Sequence, residues 1–300
     1  MVAELSICIV NHRTPQLAAR CLHSIRRTYD PAAVELLLLN NTPDGVVAEQ
    51  SLADFPQYRL LQNDRPLGFA ANQNRLLRFA TGRYWLPLNS DTEITPGALA
   101  ELVRFMDTHP DCAITGPRLV HPDGSLQPSM RDFPTALTHF LEASGLWRML
   151  PATGWVGRRF ALRASHDQVR AVDWLTGACL IVRPEAARQA GLYDEVSFIG
   201  MYGEDLEWCW RLRLAGWQIY FDPAAIVMHA ESASPLGDRT MRMFEGFYTF
   251  CRLHYTQAQQ IAIRAATVAA LAPRWLFTLD HRRRRRYAQL MRLPIGGESP

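Results

Sequence analysis

Three short stretches of the chain carry side chains able to do chemistry. The first is Asn89-Ser90-Asp91, directly after the apolar run 84–88. A carboxylate at a strand end can hold a hard divalent cation through oxygen, and such an ion needs few protein ligands when a diphosphate supplies others. The same residue types are ordinary in turns and helix starts, so the tripeptide alone leaves both readings open. The second stretch is Gly203-Glu204-Asp205, opening a helical pattern that runs to Ala215. Two acids there complement a helix dipole; they also suit a general base that takes a proton from a hydroxyl. The third is His229, which closes the apolar run 226–228. It is either a structural histidine or, if it lies beside Asp91 in space, a neutral imidazole that completes a metal site.

For these groups to meet, the fold must join distant parts of the chain. Apolar runs at 5–10, 34–39, 58–61, 84–88 and 112–115 read as strands. Amphipathic stretches at 15–27, 68–80 and 96–106 read as helices, with Thr92, Thr95 and Pro96 as helix-start residues. This alternation predicts βαβ units and a mostly parallel sheet. Ligands in such sheets bind at the carboxyl ends of the strands. That rule selects Val10-Asn11-His12, Asn40-Asn41 and Asn89-Ser90-Asp91, each a polar cluster after an apolar strand. Further on, 121–125 reads as a turn and 130–163 as irregular. The stretch 172–183 reads as a strand with Gly177 inside it, and a helix follows Pro184. Two short strands are expected at 218–221 and 226–229, and helices from Arg239 onward.

The composition bounds the class. The 300 residues are 48% hydrophobic and 20% charged, enough for a sizeable core and unlike a disordered chain. No apolar stretch reaches the ~18 residues of a membrane-spanning helix. The first residues lack the basic region of a signal peptide, so a cytoplasmic location is expected. Six cysteines form no CxxC pair and read as reduced core residues. All 32 basic residues are arginine, and they are unevenly placed: residues 236–300 hold eleven against four acidic residues, whereas 1–235 hold 21 against 25. The apolar stretch 261–279 is interrupted by Arg264, Pro273 and Arg274 and is followed by five arginines at 282–286. Such a tail suits the face of an anionic membrane, here the inner face of the cell membrane. The other reading is a helix packed on the domain with a solvated charged end. Nucleic acid is not an expected partner, because the basic run is terminal and the polar clusters lie elsewhere. The expected division is a catalytic domain over 1–235 and an Arg-rich helical tail over 236–300.

Taken jointly and in order, the motifs resemble glycosyltransferase family 2, and within it the bacterial rhamnosyltransferase-like branch. The matching stretches are Ser6-Ile-Cys-Ile-Val-Asn11, Asn40-Asn41-Thr42 with Asp44-Gly45, Leu67-Gly-Phe-Ala-Ala-Asn-Gln-Asn74 and Gly82-Arg-Tyr-Trp-Leu-Pro-Leu-Asn-Ser-Asp-Thr92. They continue with Gly116-Pro-Arg-Leu-Val120, Pro122-Asp-Gly-Ser-Leu-Gln-Pro128, Val172-Asp-Trp-Leu-Thr-Gly-Ala-Cys179, Tyr202-Gly-Glu-Asp-Leu206 and Val227-Met-His229.

The resemblance implies a GT-A fold, a mostly parallel Rossmann-like sheet flanked by helices. It implies an inverting transfer of a sugar, rhamnose among the candidates, from a dTDP-, UDP- or GDP-linked donor to a glycan or lipid-linked acceptor. Such chemistry belongs to cell-wall or polysaccharide biosynthesis. Asp91 would hold Mg2+ or Mn2+ with His229 as second ligand, and Asn89 and Ser90 would lie beside them. Asp205 would be the base, partly desolvated, with Glu204 next to it orienting or binding the acceptor. Val10, Asn11, His12, Asn40 and Asn41 would line the donor pocket. Gly68 to Asn74 would begin a helix near the nucleotide, and Trp174, Thr176 and Gly177 would lie near the donor sugar. Two departures stand out. The family commonly has an Asp that recognises the pyrimidine ring where this chain has Leu39, and Asn89 replaces the first acid of the metal motif. A non-catalytic nucleotide-sugar-binding relative and a nucleotidyltransferase-type enzyme are the competing readings. The second is disfavoured, since neither a Walker motif nor G-x-G-x-x-G follows Val10.

Overall fold

A computed structural model describes residues 3–47, 49–151, 160–231 and 239–294. The chain divides into two compact units. One comprises Met1–Arg131, His166–Gly200 and Glu204–Ala233; the other comprises Asp132–Ser165, Met201–Gly203 and Ser234–Pro300.

The first unit starts with β1 (Leu5–Asn11), α1 (Pro15–Thr28), β2 (Val34–Asn40), β3 (Gln57–Gln62), α2 (Phe69–Leu77) and β4 (Tyr84–Asn89). It continues with β5 (Thr92–Ile94), α3 (Ala98–Thr108), β6 (Cys112–Val120), β7 (Leu126–Gln127) and β8 (Met130–Arg131). The chain leaves this unit for α4 (Ala136–Ser144). It returns through β9 (Arg170–Val172), β10 (Trp174–Leu175), β11 (Ile181–Val182), α5 (Pro184–Ala190), α6 (Glu204–Leu214) and β12 (Gln218–His229).

Residue types explain the layering. β1 and β2 are apolar along almost their whole length, because a parallel strand with a helix layer on each face buries both sets of side chains. Pro15 opens α1, whose buried Ala18, Cys21, Leu22 and Ile25 recur at helical spacing and meet the sheet in one core. The large sheet runs β3-β2-β1-β4-β11-β6-β12-β5. Its first four strands are mutually parallel. β11 is antiparallel between β4 and β6, while β12 is parallel to β6. Strand order therefore reverses between β1 and β4, the kind of position at which open α/β sheets bind ligands beyond the carboxyl ends of their strands.

Local readings of the sequence differ in four places. Thr92 and its neighbours form β5 instead of starting a helix, since they pair antiparallel with β12. The stretch 172–183 is divided into β10, which joins β8, and β11, which joins the main sheet; Gly177 lies in the break. The two short strands expected at 218–229 are one strand with a register shift between Asp222 and Ile226. The shift lets β12 change partners, from β9 over Ile219–Phe221 to β5 over Val227–His229. The segment read as irregular holds α4, started by a capping box of Thr135 and Thr138; its residues 152–159 lie outside the described ones. All six cysteines are free and buried.

The second unit is helical. Beside α4 it contains α7 (Arg239–His254), α8 (Gln257–Phe277) and α9 (His281–Arg292). Thr267 of α8 ties the unit together, with its hydroxyl 2.8 Å from His139 Nε2 of α4 and 2.6 Å from the Tyr248 hydroxyl of α7. No helix among the described residues is long and apolar enough to cross a membrane.

Candidate active site

Asp91 lies between β4 and β5, and the pairing of β5 with β12 sets His229 opposite Thr92. The same register lets Ala230 N–H donate to the Asp91 carbonyl at 3.0 Å. It places His229 Nε2 3.2 Å from Asp91 Oδ1 and 3.5 Å from Asn89 Nδ2. The other ring nitrogen, Nδ1, is 3.0 Å from Gln127 Oε1. A carbonyl oxygen can only accept, so Nδ1 carries a proton, and Nε2 meets Asp91 either as a lone pair or as a second N–H. A lone pair facing a carboxylate oxygen at 3.2 Å calls for a cation or a second proton between them. The donor set therefore fits a hard divalent ion that keeps further positions for phosphate oxygens. Among the described residues no cluster of three or more His, Cys, Asp or Glu that could hold a metal ion gathers.

Asp205, in the first turn of α6, meets the break between β10 and β11. Gly177 N–H donates to Asp205 Oδ2 at 3.0 Å. Both carboxylate oxygens lie so close to the Gly177 Cα that a Cβ there would collide with them. Glycine is required here for close approach, not for its backbone angles. Oδ1 is buried and has no hydrogen-bond partner among the described residues. Burial is the main force on this carboxyl and raises it to about 7, against the pull of the Gly177 N–H and then of the Tyr193 hydroxyl. That hydroxyl is buried and close enough to act on the carboxyl, yet closes no hydrogen bond of ordinary geometry among the described residues. Glu204, next in the chain, is 2% exposed, so its carboxylate lies inside the protein.

One backbone turn joins the two halves. Ala178 C=O accepts from Asn89 N–H at 2.9 Å, and the adjacent Gly177 N–H holds Asp205. The strand end that carries Asp91 and the buried carboxyl of Asp205 thus hang from consecutive residues. Thr176 takes part in the same turn: its N–H donates to Ser129 C=O at 3.1 Å, and its C=O accepts from Ala178 N–H at 2.9 Å. Trp174, half-buried, precedes it in β10.

The carboxyl ends of β1 and β2 are built otherwise. Asn11 Nδ2 donates to Asn40 Oδ1 and to Gly45 C=O, both at 2.8 Å, and its Oδ1 accepts from Thr14 N–H. Asn40 Oδ1 also accepts from Val47 N–H. Asn41 Nδ2 donates to Leu67 C=O at 2.9 Å and to His12 Nδ1 at 3.1 Å, while its Oδ1 accepts from Leu67 N–H and Asn63 Nδ2. These amides knit the loops after β2 and β3 to the sheet. Because Asn41 donates to Nδ1, the His12 proton sits on Nε2, which is buried without a partner among the described residues. Burial, then the Arg13 charge, holds His12 below its ordinary range against a smaller pull from Asp44, so the ring is neutral at pH 7. Val10 pairs with Asn89 across β1 and β4, and Ser90 Oγ is 3.4 Å from Thr14 Oγ1. Leu39 is fully buried and presents nothing to a ligand.

Helix α2 behaves differently from the expected nucleotide contact. A Cβ on Gly68 would strike the carbonyls of Ile199 and Gly200, and Phe69 N–H donates to Gly200 C=O at 2.9 Å. Asn74 donates to Tyr193 C=O at 2.8 Å and to Glu195 Oε2 at 2.9 Å, and accepts from Tyr193 N–H at 3.0 Å. Its whole amide is engaged in pinning Tyr193. The Tyr193 ring packs on Trp208, with centroids 4.2 Å apart, so the residue facing Asp205 is held from two helices. Tyr193 and Gln127 were not singled out in the sequence. Gln127 lay inside a matched stretch, whereas Tyr193 gave no periodic or spacing signal.

The profile of Glycosyl transferase family 2 matches residues 6–165. An N-acetylglucosaminyl-diphospho-decaprenol L-rhamnosyltransferase of Mycobacterium tuberculosis is 29% identical over 245 residues, 78% of each chain. The O-antigen biosynthesis protein RfbC of Myxococcus xanthus is 28% identical over 78% of this chain and 18% of its own. Among solved structures, GalNAc-T7 with UDP, GalNAc and Mn2+ superposes with a TM-score of 0.63 at 17% identity, covering 97% of this chain and 55% of that one. The mannosyltransferase PcManGT from Pyrobaculum calidifontis, in complex with GDP-Man and Mn2+, superposes with a TM-score of 0.55 at 13% identity over 97% and 84%. The fold is GT-A: a mixed α/β sheet flanked by helices, followed by a helical segment.

Proposed function

The chain belongs to glycosyl transferase family 2 and is a glycosyltransferase, and from that premise we propose that it moves a hexose, rhamnose foremost, from a nucleoside-diphosphate donor to a lipid-linked or glycan acceptor with inversion. The donor sugar and acceptor follow the Mycobacterium tuberculosis relative, whose name gives an L-rhamnosyl transfer onto a diphospho-decaprenol lipid. The observation that carries the mechanism is the half-buried Asp205, seated against Gly177 with its Oδ1 enclosed and without an ordinary hydrogen bond among the described residues, on the same turn that holds the Asp91 strand end.

Asp205 takes the proton of the acceptor hydroxyl as its oxygen attacks the anomeric carbon. The new bond forms on the face opposite the diphosphate, the bond from the anomeric carbon to the phosphate oxygen breaks, and the nucleoside diphosphate leaves with the electron pair. A single displacement inverts the configuration. Asp91 and His229 would hold a divalent cation, Mg2+ or Mn2+, which would supply positive charge to offset that of the departing diphosphate. The His12 Nε2 proton has no acceptor among the described residues and serves the donor's oxygens. Asn11, Asn40 and Asn41 shape the donor pocket by fixing its loops, and Val10, Ser90, Trp174 and Thr176 line it. Gly68 and Asn74 serve the donor site indirectly, through the loop at 193–200. Glu204 orients Asp205 and its acceptor. With Leu39 buried, the base of the nucleotide is read by backbone groups. We assign catalysis to residues 1–235, and contact with the inner face of the cell membrane to the helical tail 236–300.

Turnover tests the assignment. Asp205→Asn should lose about 10²–10⁴-fold in rate, while calorimetry shows donor binding nearly unchanged. Turnover like that of the unaltered chain would remove Asp205 from the mechanism. Asp91→Ala should instead abolish the manganese-dependent part of donor binding.

A further inference from the structure

The turn between α8 and α9 breaks two rules that folding alone would keep. Leu276, Phe277 and Leu279 stand 59%, 78% and 96% exposed, three large apolar side chains within four residues. Four exposed arginines follow at 282–285, in the first turn of α9. The amino end of a helix carries positive partial charge, so cations there are disfavoured and acids preferred. Only Asp280 at the cap obeys, accepting from the backbone N–H groups of Arg282 and Arg283. Among the described residues the one ion pair of these four arginines is Arg283 with Asp280, at 3.4 Å. The Arg284 guanidinium lies over the Trp275 ring, 4.9 Å from its centroid, which ties the basic turn to the apolar end of α8. Neither feature adds to the packing of the unit, and local rules broken without a folding gain mark a functional surface.

We propose that this turn is a membrane-docking edge, in which Leu276, Phe277 and Leu279 enter the acyl boundary of a bilayer while the arginines at 282–285 take the phosphates of anionic lipids. An apolar tip bordered by cations is the composition that an anionic interface accepts. A second copy of the chain suits it less, because a two-fold contact would set the same cations against one another. The inference rests on the reading above in one respect: a lipid-linked acceptor is presented at such a surface.

Flotation of the full chain with vesicles tests it without any catalytic readout. The chain should float with phosphatidylcholine vesicles containing phosphatidylglycerol and stay behind with phosphatidylcholine alone, and added salt should release it. The triple variant Leu276→Ser, Phe277→Ser, Leu279→Ser should weaken binding by about a hundredfold. The set Arg282→Gln to Arg285→Gln should weaken it by several hundredfold, since each of the four cations near the surface is worth about fivefold. All these positions are exposed, so unchanged melting temperatures certify folded variants, and transfer to a water-soluble acceptor should persist. Failure of the unaltered chain to float, or flotation of both variants like the parent, overturns the docking edge. Self-association that both variants lose would do the same by naming a second copy as occupant. If instead no form of the chain transfers sugar yet the parent floats, the glycosyl-transfer reading falls and the docking edge stands.

Discussion

Two neighbouring parts of one sheet treat polar strand ends in opposite ways. At the ends of β1 and β2, Asn11, Asn40 and Asn41 satisfy one another and nearby backbone, so their amides act as loop fasteners. At the end of β4, a ring nitrogen of His229 faces the Asp91 carboxylate, and the Asp205 carboxyl keeps one buried oxygen without an ordinary hydrogen bond among the described residues. Buried polar atoms are almost always hydrogen-bonded, so a local failure of that rule points to a ligand or a reaction. In the first region the three amides hold the scaffold still and only His12 Nε2 stays open, whereas in the second it is the acidic groups that are left for a ligand to meet.

The sharpest way to break this contrast is to remove the incomplete side. Beyond the loss of turnover already given, Asp205→Asn should stabilise the fold in a pH-dependent way. A carboxyl raised to about 7 in the folded state, against 3.8 as its ordinary value, favours the folded chain less and less as pH rises from about 4 to 7. Below that window both states are protonated and the cost is absent; above it the cost is complete. The melting temperature of Asp205→Asn should therefore exceed the parent's above pH 7 by the equivalent of a few kcal/mol and match it near pH 4. A gain independent of pH would contradict the desolvated carboxyl.

Gly177→Ala should come next. Its methyl group must displace the Asp205 carboxylate, and a misplacement of about 1 Å can cost about 10²-fold in rate. Steady-state kinetics on the folded variant should show a fall in kcat with donor affinity kept.

On the scaffold side the readout changes from rate to stability. Asn41→Ala strands the Leu67 backbone groups and the Asn63 amide, a loss of roughly 1–3 kcal/mol in chemical denaturation. Because His12 also loses its orienting donor, donor affinity should weaken by a few-fold while kcat holds. A variant with unaltered stability would contradict the role of these amides as loop fasteners.

The smallest effect concerns Tyr193. Its hydroxyl pulls the Asp205 carboxyl down, so Tyr193→Phe should move the acidic limb of the rate profile to higher pH, with little change on the alkaline plateau. A shift in the other direction, or none, would leave Tyr193 a packing residue.

These contrasts also mark what could be read before folding. The apolar runs of β1, β2 and β4, each stopping at a polar cluster, disclose the sheet and the edge where ligands bind, because parallel strands buried on both faces must be apolar throughout. The meeting of Asp91 with His229 depends on β5, a three-residue strand whose threonines look equally suited to starting a helix. Asn74 and Tyr193 lie 119 positions apart and meet only through tertiary packing. An asparagine that holds a loop and one that holds a nucleotide are identical as letters; only their neighbours in space distinguish them. The basic run was visible at once, but the exposed apolar tip beside it emerges only when the helices leave Leu276, Phe277 and Leu279 uncovered.

The turn at Gly177 and Ala178 has a mechanical corollary. Because one short piece of backbone grips both the Asp205 carboxyl and the β4 terminus, a displacement of that piece carries them together and leaves their mutual spacing intact. Opening to release product must then come from parts of the fold outside this yoke. Exchanging peripheral loops to accept a different sugar or acceptor should accordingly leave the reacting geometry untouched.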